Sequence, residues 1–296
     1  LQLRKRTKRS VGEPANQSAV DPEAAVAAAA EPVAAVSSVL DSYTAEAPSA
    51  QQAVDVFAGE WWSRLPDELG VISGELGLFE DSRIVQLLEW IGDADGVRIL
   101  ELGPLEGGHT YMLDRAGAVV DAIESNSRSY LKCLVVKELL GLRRARFMRG
   151  DFVAYLRQST ERYDLVLASG VLYHMVDPLE LLDLLARASD RIAVWTHYYD
   201  AEILANSPTA EHFQVPAESV TVDGRIYQLH PRRYLDALDS SGFGGGPKSY
   251  ARWMERQDIL DTLARLGFDK IEIAVEDVEF MPGPCFLLFA ERTRTG

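Results

Sequence analysis

Val97–Asp114, VRILELGPLEGGHTYMLD, decides how the rest of the chain is read. It begins with a short apolar run, Val97-Arg98-Ile99-Leu100, of a length suited to a buried strand. The run closes on Glu101-Leu102-Gly103, further glycines follow at Gly107 and Gly108, and a helix is expected from near Thr110. Strand, glycine-rich turn and helix are the arrangement by which an α/β sheet offers backbone N–H groups to a nucleotide-like ligand. A second apolar run, Ala118–Ile123, ends in Glu124. An acid at the tip of a second strand is placed to accept both hydroxyls of a ribose.

Outward from this stretch, strands and helices alternate. A helix is expected over Arg128–Leu140, with Leu131, Leu134, Val135 and Leu139 on one face. Ala145–Arg149 reads as a third strand ending in Gly150-Asp151-Phe152, and Tyr163–Ser169 as a fourth, running into Gly170-Val171-Leu172-Tyr173-His174. Pro178 opens the next helix, and a fifth strand, Arg191–Thr196, ends in His197-Tyr198-Tyr199-Asp200. A helix over Gln257–Leu266 stops at Gly267, and Lys270–Val275 with Cys285–Ala290 reads as a closing antiparallel hairpin. The pattern predicts a doubly wound α/β sheet, in which ligands bind beyond the strand C-termini. Glu101, Gly103, Glu124, Asp151, Ser169, Tyr173, His174 and His197 all fall there.

Three segments lie outside this alternation. Residues 1–52 combine a basic cluster (Arg4, Lys5, Arg6, Lys8, Arg9) with an Ala/Pro/Glu/Ser-rich tract that lacks bulky side chains. Such composition does not offset the entropy of ordering, so a disordered or linker tail is expected, with a transient helix near Glu23–Ala30. The chain opens on Leu1, as an excised piece would. Residues 53–96 read as a helical preface in which Asp81 or Ser82 caps a helix striped by Ile84, Leu87, Leu88 and Ile91. Between about 200 and 252 lies an insertion that the sheet does not need. In it Ser219–Leu229 reads as a hairpin turning at Asp223-Gly224, followed by a glycine-rich strip, Gly242–Tyr250. An insertion at the ligand end of such a sheet shapes substrate access, so a lid is expected.

Composition bounds the partners. The 296 residues carry a formal net charge of −15, which speaks against a broad nucleic-acid surface. Hydrophobic content of 47% suffices for a full core, and no apolar stretch approaches the ~20 residues of a membrane span. Cys133 and Cys285 sit in apolar surroundings, as buried thiols do in a reducing compartment; a cytoplasmic location is expected.

The order of signals, ELGPLEGG, Glu124, GDF and YDLVLASGVLYH, resembles the class I S-adenosylmethionine-dependent methyltransferases over roughly Phe79–Arg292. GVLYH followed by DPLELL is similar to a subgroup that includes bacterial wobble-uridine carboxymethyltransferases and many small-molecule and sugar methyltransferases. The resemblance implies a Rossmann-like, seven-stranded sheet with an antiparallel C-terminal hairpin and S-adenosylmethionine as cofactor. Gly103 and Gly107 would let the loop approach its amino-acid part, and Glu101 would hold the loop or the ammonium. Glu124 would bind the ribose, Ser125 and Asn126 would flank the adenine, and Asp151 would accept from its amine with Phe152 beside the ring. Ser169, Gly170 and Tyr173 would line the methionine and its methyl group. One departure stands out. The usual loop has a glycine where this chain has Leu105, and Arg64 or His109 is left to compensate near the cofactor's carboxylate.

His174 and His197 are candidate bases because imidazole titrates near neutral pH; each has an alternative reading, packing or capping within its loop. No tight His/Cys spacing is present, so no metal is expected. The expected acceptor is a small or sugar-like molecule beneath the lid, without DNA. An RNA-modifying enzyme and a non-catalytic cofactor-binding assembly protein are the alternatives. A nicotinamide dehydrogenase fits neither the loop, which is not GxGxxG, nor the closing hairpin.

Overall fold

The computed structural model describes residues 42–235 and 244–293. Contacts divide the chain into two compact units, Leu1–Glu46 and Ala47–Gly296. In the first, the described residues 42–46 form no helix or strand; the basic cluster and the helix expected at Glu23–Ala30 lie outside the described residues, as do 236–243 at the start of the glycine-rich strip.

The second unit opens with α1 (Ala50–Asp55), a few residues before the boundary expected at Ala53, with the Ser49 side chain accepting from the Gln52 N–H. The preface is helical only in part. Between α1 and α2 (Ser82–Ile91) the chain makes single 3-10 turns at Asp67–Leu69 and Leu78–Glu80 and a bridge between Ser63 and Leu76. Gly74 lies so close under the Trp61–Trp62 backbone that any Cβ would overlap it, and the N–H groups of Gly74, Glu75 and Leu76 donate across to the Ser63 and Trp62 carbonyls in place of a helical ladder. Asp81 caps α2 by accepting from the Arg83 N–H at 2.9 Å, and Ile84 and Leu87 are its buried stripe.

The sheet follows the expected alternation. Its elements are β1 (Arg98–Leu102), α3 (Gly108–Arg115), β2 (Val119–Glu124), α4 (Ser127–Leu140) and β3 (Ala145–Arg149). Then come α5 (Phe152–Gln158), β4 (Leu165–Ser169), α6 (Pro178–Ala188) and β5 (Arg191–His197). After the insertion come α8 (Arg256–Arg265), β9 (Lys270–Asp277) and β10 (Cys285–Glu291). Strand order is β3-β2-β1-β4-β5-β10-β9. The first five are mutually parallel, and β10 runs antiparallel to both β5 and β9.

Side chains alternate across the pleat, so each strand feeds two cores. Leu100, Leu102, Val166 and Ala168 pack against α5, α6 and α8 through Leu156, Leu182 and Leu263. Ile99, Val120, Ala122 and Leu167 pack on the opposite face against α1 to α4, through Val54, Leu87, Leu113 and Val136. Both cysteines are free and buried. Among the described residues no helix is long and apolar enough to cross a membrane.

The insertion holds α7 (Ala201–Ala205) and a three-stranded antiparallel sheet of β6 (Glu218–Val222), β7 (Arg225–Arg233) and β8 (Tyr250–Trp253). Asp223 and Gly224 take φ of 49° and 80°, the left-handed pair that a two-residue hairpin requires. β8 also reaches the main sheet's loops: the Arg252 N–H donates to the Met175 carbonyl at 2.9 Å.

Candidate active site

At the C-terminal end of β1 the chain makes three left-handed steps, Gly103 at φ 65°, Leu105 at 55° and Gly107 at 80°. A leucine in this region costs about 1–2 kcal/mol relative to glycine. The departure seen in the sequence is therefore accommodated by strain at Leu105, with the glycine-like backbone path kept. Two neighbours hold it there. The Leu105 N–H donates to Glu124 Oε2 at 3.2 Å, and the Cys133 thiol lies 3.5 Å from the Leu105 carbonyl oxygen.

Glu106, next along, holds the loop to the preface. Its carboxylate, 1% exposed, accepts from the Trp62 N–H at 3.1 Å, the Ser63 N–H at 2.8 Å and the Lys132 ammonium at 2.7 Å. Lys132 comes from α4, is 3% exposed, also donates to the Glu60 carbonyl, and lies over the Trp61 ring at 5.3 Å. In the sequence Glu106 is visible only as a charge in the loop and Lys132 has no signal: they lie 26 positions apart, and only the fold brings them together.

Glu101 is buried, and its carboxylate accepts from the Thr110 hydroxyl on α3. Burial raises its pKa, with the His109 charge opposing. His109 bonds to Asp81 at 2.9 Å, and Arg64 pairs loosely with Glu80 at 3.6 Å on the surface.

Glu124 closes β2. Oε1 accepts from the Asn126 N–H at 2.7 Å and Oε2 from the Leu105 N–H. A carboxylate has about four lone-pair sites, so each oxygen keeps capacity for a further donor. Burial raises this pKa as well, against the backbone donors that favour the anion. Asn126 and Asp151 cap α4 and α5: Asn126 Oδ1 accepts from Arg128 and Ser129, and Asp151 Oδ1 from Val153 and Ala154. Asp151 Oδ2 is uncommitted among the described contacts. Ser125 is exposed beside them, and Phe152 is buried in the core.

The β4 and β5 ends form an aromatic chamber. The Ser169 hydroxyl is buried with no hydrogen-bond partner, and Gly170, at φ 84°, has the Tyr173 hydroxyl 3.7 Å from where its Cβ would be. Burial pushes the Tyr173 phenol up to about 12, opposed by the charges of Arg83 and Arg232. Its ring stands edge-on to His197 at 4.6 Å and near Trp195 at 5.8 Å. Trp253 of β8 stacks on His197 at 5.1 Å and 3°. The Arg83 guanidinium lies 4.4 Å over Trp195 while its charge is met by Asp81. Trp195, Trp253 and Arg83 were not anticipated, because their convergence depends on long-range packing: α2 brings Arg83 over Trp195 of β5, and the insertion brings Trp253 of β8 onto His197.

Neither histidine titrates near neutrality as the sequence reading expects. His197 is 2% exposed, and burial lowers its pKa to about 4; burial likewise lowers His174 to about 3. Both imidazoles are therefore neutral at pH 7. His197 Nδ1 lies 2.8 Å from the Gly283 carbonyl oxygen. A carbonyl only accepts, so Nδ1 carries the proton and Nε2 keeps its lone pair. His174 Nδ1 shares a 2.7 Å hydrogen bond with the Tyr234 hydroxyl. Among the described residues no group of three or more His, Cys, Asp or Glu is placed to hold a metal ion.

No family model matches the chain, and no curated protein sequence does. Similar solved structures exist. The N-terminal domain of EvdMO1, solved with S-adenosylhomocysteine (SAH) bound and also in the presence of SAH and D-fucose, superposes with a TM-score of 0.61 at 24% identity. The match covers 82% of this chain and 95% of that one. Magnesium protoporphyrin IX methyltransferase from Synechocystis PCC 6803 with bound SAH gives 0.50 at 17% identity, covering 75% of this chain and 90% of that one. With the strand order above, these likenesses give the chain the Rossmann-like fold of the S-adenosylmethionine-dependent methyltransferases.

Proposed function

We propose that this chain is an S-adenosylmethionine-dependent methyltransferase acting on a small, sugar-like acceptor by direct transfer. The observation that carries the reading is the Glu124 carboxylate. It is buried at the tip of β2, oriented by two backbone N–H groups, and keeps lone pairs for a ribose diol. The rest of the site fits the same ligand. The loop at Gly103 and Gly107 presents backbone to an amino-acid moiety, with Glu101 beneath it. Ser125, Asn126 and Asp151 Oδ2 border the adenine position, and Phe152 backs it from the core. The unpartnered Ser169 hydroxyl, with Gly170, faces the methionine end.

Bound S-adenosylmethionine supplies a methyl group on a sulfonium. The protein's task is to hold a nucleophile in line with it and exclude water. Tyr173, Trp195 and Trp253 give flat apolar walls against which the C–H faces of a sugar can rest. Tyr173, protonated throughout the working range, donates to an acceptor oxygen. His197 Nε2 receives the acceptor's proton. An imidazole whose conjugate acid has a pKa near 4 is a weak base, but an oxygen already bonding to the methyl carbon is positively charged and strongly acidic, so a weak base suffices. His174 positions the turn through Tyr234. The insertion acts as the lid, and the reaction is cytoplasmic.

The aromatic chamber and the chain's acidity favour a small acceptor over RNA. Of the basic residues in the insertion, Arg252 is paired with Glu218 at 2.5 Å and Arg232 is half-buried among rings, which leaves only Arg233 and Lys248 exposed. Incubation with methyl-labelled S-adenosylmethionine and cell extract separates the readings. Label in the small-molecule fraction is expected. Label confined to RNA would replace the acceptor class, and no SAH formed in any fraction would favour a non-catalytic cofactor-binding protein.

A further inference from the structure

We propose that the acceptor carries an oxyanion, a carboxylate or a phosphate, seated against Arg232 on the insertion's inner face. The inference rests on the methyltransferase reading and narrows its substrate class.

Counter-ions are plentiful in this chain, which has 45 acidic and 30 basic residues. The neighbouring guanidiniums are matched accordingly. Arg225 meets Asp258 at 2.8 Å and Asp261 at 2.6 Å, Arg256 meets Glu276 at 2.6 Å, and Arg265 meets Asp223 at 2.9 Å. Arg232 pairs with no carboxylate among the described residues. Its Nε is buried without a hydrogen-bond partner. Taking a cation partly out of water without a counter-ion is unfavourable. Its position over the Tyr234 and Trp253 rings, at 5.4 and 5.5 Å, returns only part of that loss. A ring platform alone does not balance the charge; an anion arriving with the acceptor does.

The position is the right one for an acceptor. In the β7–β8 register Arg232 faces Ala251, whose small side chain lets the guanidinium lie diagonally across Trp253. Trp253 in turn stacks on His197, so the cation is one ring away from that imidazole. Its charge reaches the proposed acceptor-facing groups, helping to hold His174 and His197 down and opposing the rise at Tyr173. The Trp253 indole N–H is a second buried donor without a partner. Arg83 approaches from the far side over Trp195, but Asp81 already satisfies it with two contacts near 3 Å, so the site's unmatched charge is Arg232.

The test uses the full chain saturated with SAH and labelled with 15N at tryptophan, with the Trp253 indole signal assigned from Trp253→Phe. Titration with inorganic phosphate and with acetate is expected to shift that signal saturably with at least one of them, while acetamide, the neutral counterpart of acetate, does not. Which anion binds more tightly distinguishes phosphate from carboxylate. Arg232→Met should weaken the binding about 10–100-fold, as for a lost charge-assisted hydrogen bond, and Arg233→Met should leave it unchanged. If Arg232→Met does not fold, Arg232→Lys serves, with weaker binding expected because the ammonium lacks the guanidinium fork. No saturable shift with either anion, or equal binding by the Arg232 variant, would overturn the proposal. Calorimetry with SAH on the same samples separates this from failure of the cofactor reading: loss of the anion site leaves SAH binding intact.

Discussion

Removing either partner of the buried Glu106–Lys132 pair should destabilise the protein far more than removing both. In Lys132→Met the Glu106 carboxylate keeps the Trp62 and Ser63 N–H groups but loses its cation. In Glu106→Gln the ammonium loses its counter-charge and keeps the Glu60 carbonyl and its place over the Trp61 and Phe57 rings. An uncompensated charge at this depth costs about 3–5 kcal/mol. For a unit of this size, each kcal/mol moves the melting temperature by about 2–4 °C, so each single variant should fall by about 6–20 °C. The Glu106→Gln/Lys132→Met double variant strands no charge and should recover much of that loss, giving a coupling of about 2 kcal/mol or more. Differential scanning calorimetry on the four proteins completes the cycle. Because Glu106 follows the strained Leu105, the single variants should also bind SAH more weakly at temperatures where they remain folded. Single variants costing under about 1 kcal/mol, or losses that simply add, would refute the account of how the loop is held.

The other predictions follow from the same geometry. The imidazoles of His197 and His174 are held neutral, with folded pKa values below the unfolded value, so the unfolded chain takes up protons first as pH falls. Their contribution to stability is full above about pH 6.5 and is lost toward pH 4, at up to ~1.4 kcal/mol per pH unit for each. Denaturant titrations across that window should show the fall, and His197→Gln should reduce its slope; a flat profile in the wild type would exclude this burial. Gly103→Ala places a Cβ 2.8 Å from Val171 Cγ1 at a φ of 65° and should lower stability by about 1–2 kcal/mol from the backbone alone. Val171→Ala added to it should restore only the contact's share, and full restoration would show that the left-handed backbone costs nothing there. Ser169→Ala removes a buried hydroxyl that has no partner among the described residues, so it should leave the unfolding free energy within about 1 kcal/mol of wild type while weakening SAH binding, and unchanged binding would remove Ser169 from the site.

Much of the sheet was legible because its signals are local. Apolar runs ending in Gly103, Glu124, Asp151, Ser169 and His197 mark parallel strands whose C-termini share one edge, and Asp223-Gly224 marks its hairpin by the backbone angles that turn demands. Asn126 and Asp151 show the limit of reading residues by position along the chain. Both stand at strand ends, where a ligand role suggests itself, and both are also the residue types that cap helices. The structure places each Oδ1 in that capping role. What was not legible depends on long-range placement. The low pKa values of the histidines require knowing their burial. The Glu106–Lys132 pair requires α4 to cross behind the loop, and the Arg232–Trp253 arrangement requires β7 and β8 to pair across the residues between them. In the preface the stripe of Ile84, Leu87, Leu88 and Ile91 marks α2, whereas nothing local reveals how closely Gly74 runs beneath Trp61 and Trp62.

Binding of S-adenosylmethionine by Glu124 and the β1 loop is read by isothermal titration calorimetry. S-adenosylmethionine and SAH are each titrated into the wild type and into Glu124→Ala. Saturable binding of both ligands by the wild type, abolished in a folded Glu124→Ala, is the predicted result. Well-folded wild type that binds neither ligand, or Glu124→Ala that binds them as tightly, would contradict the account.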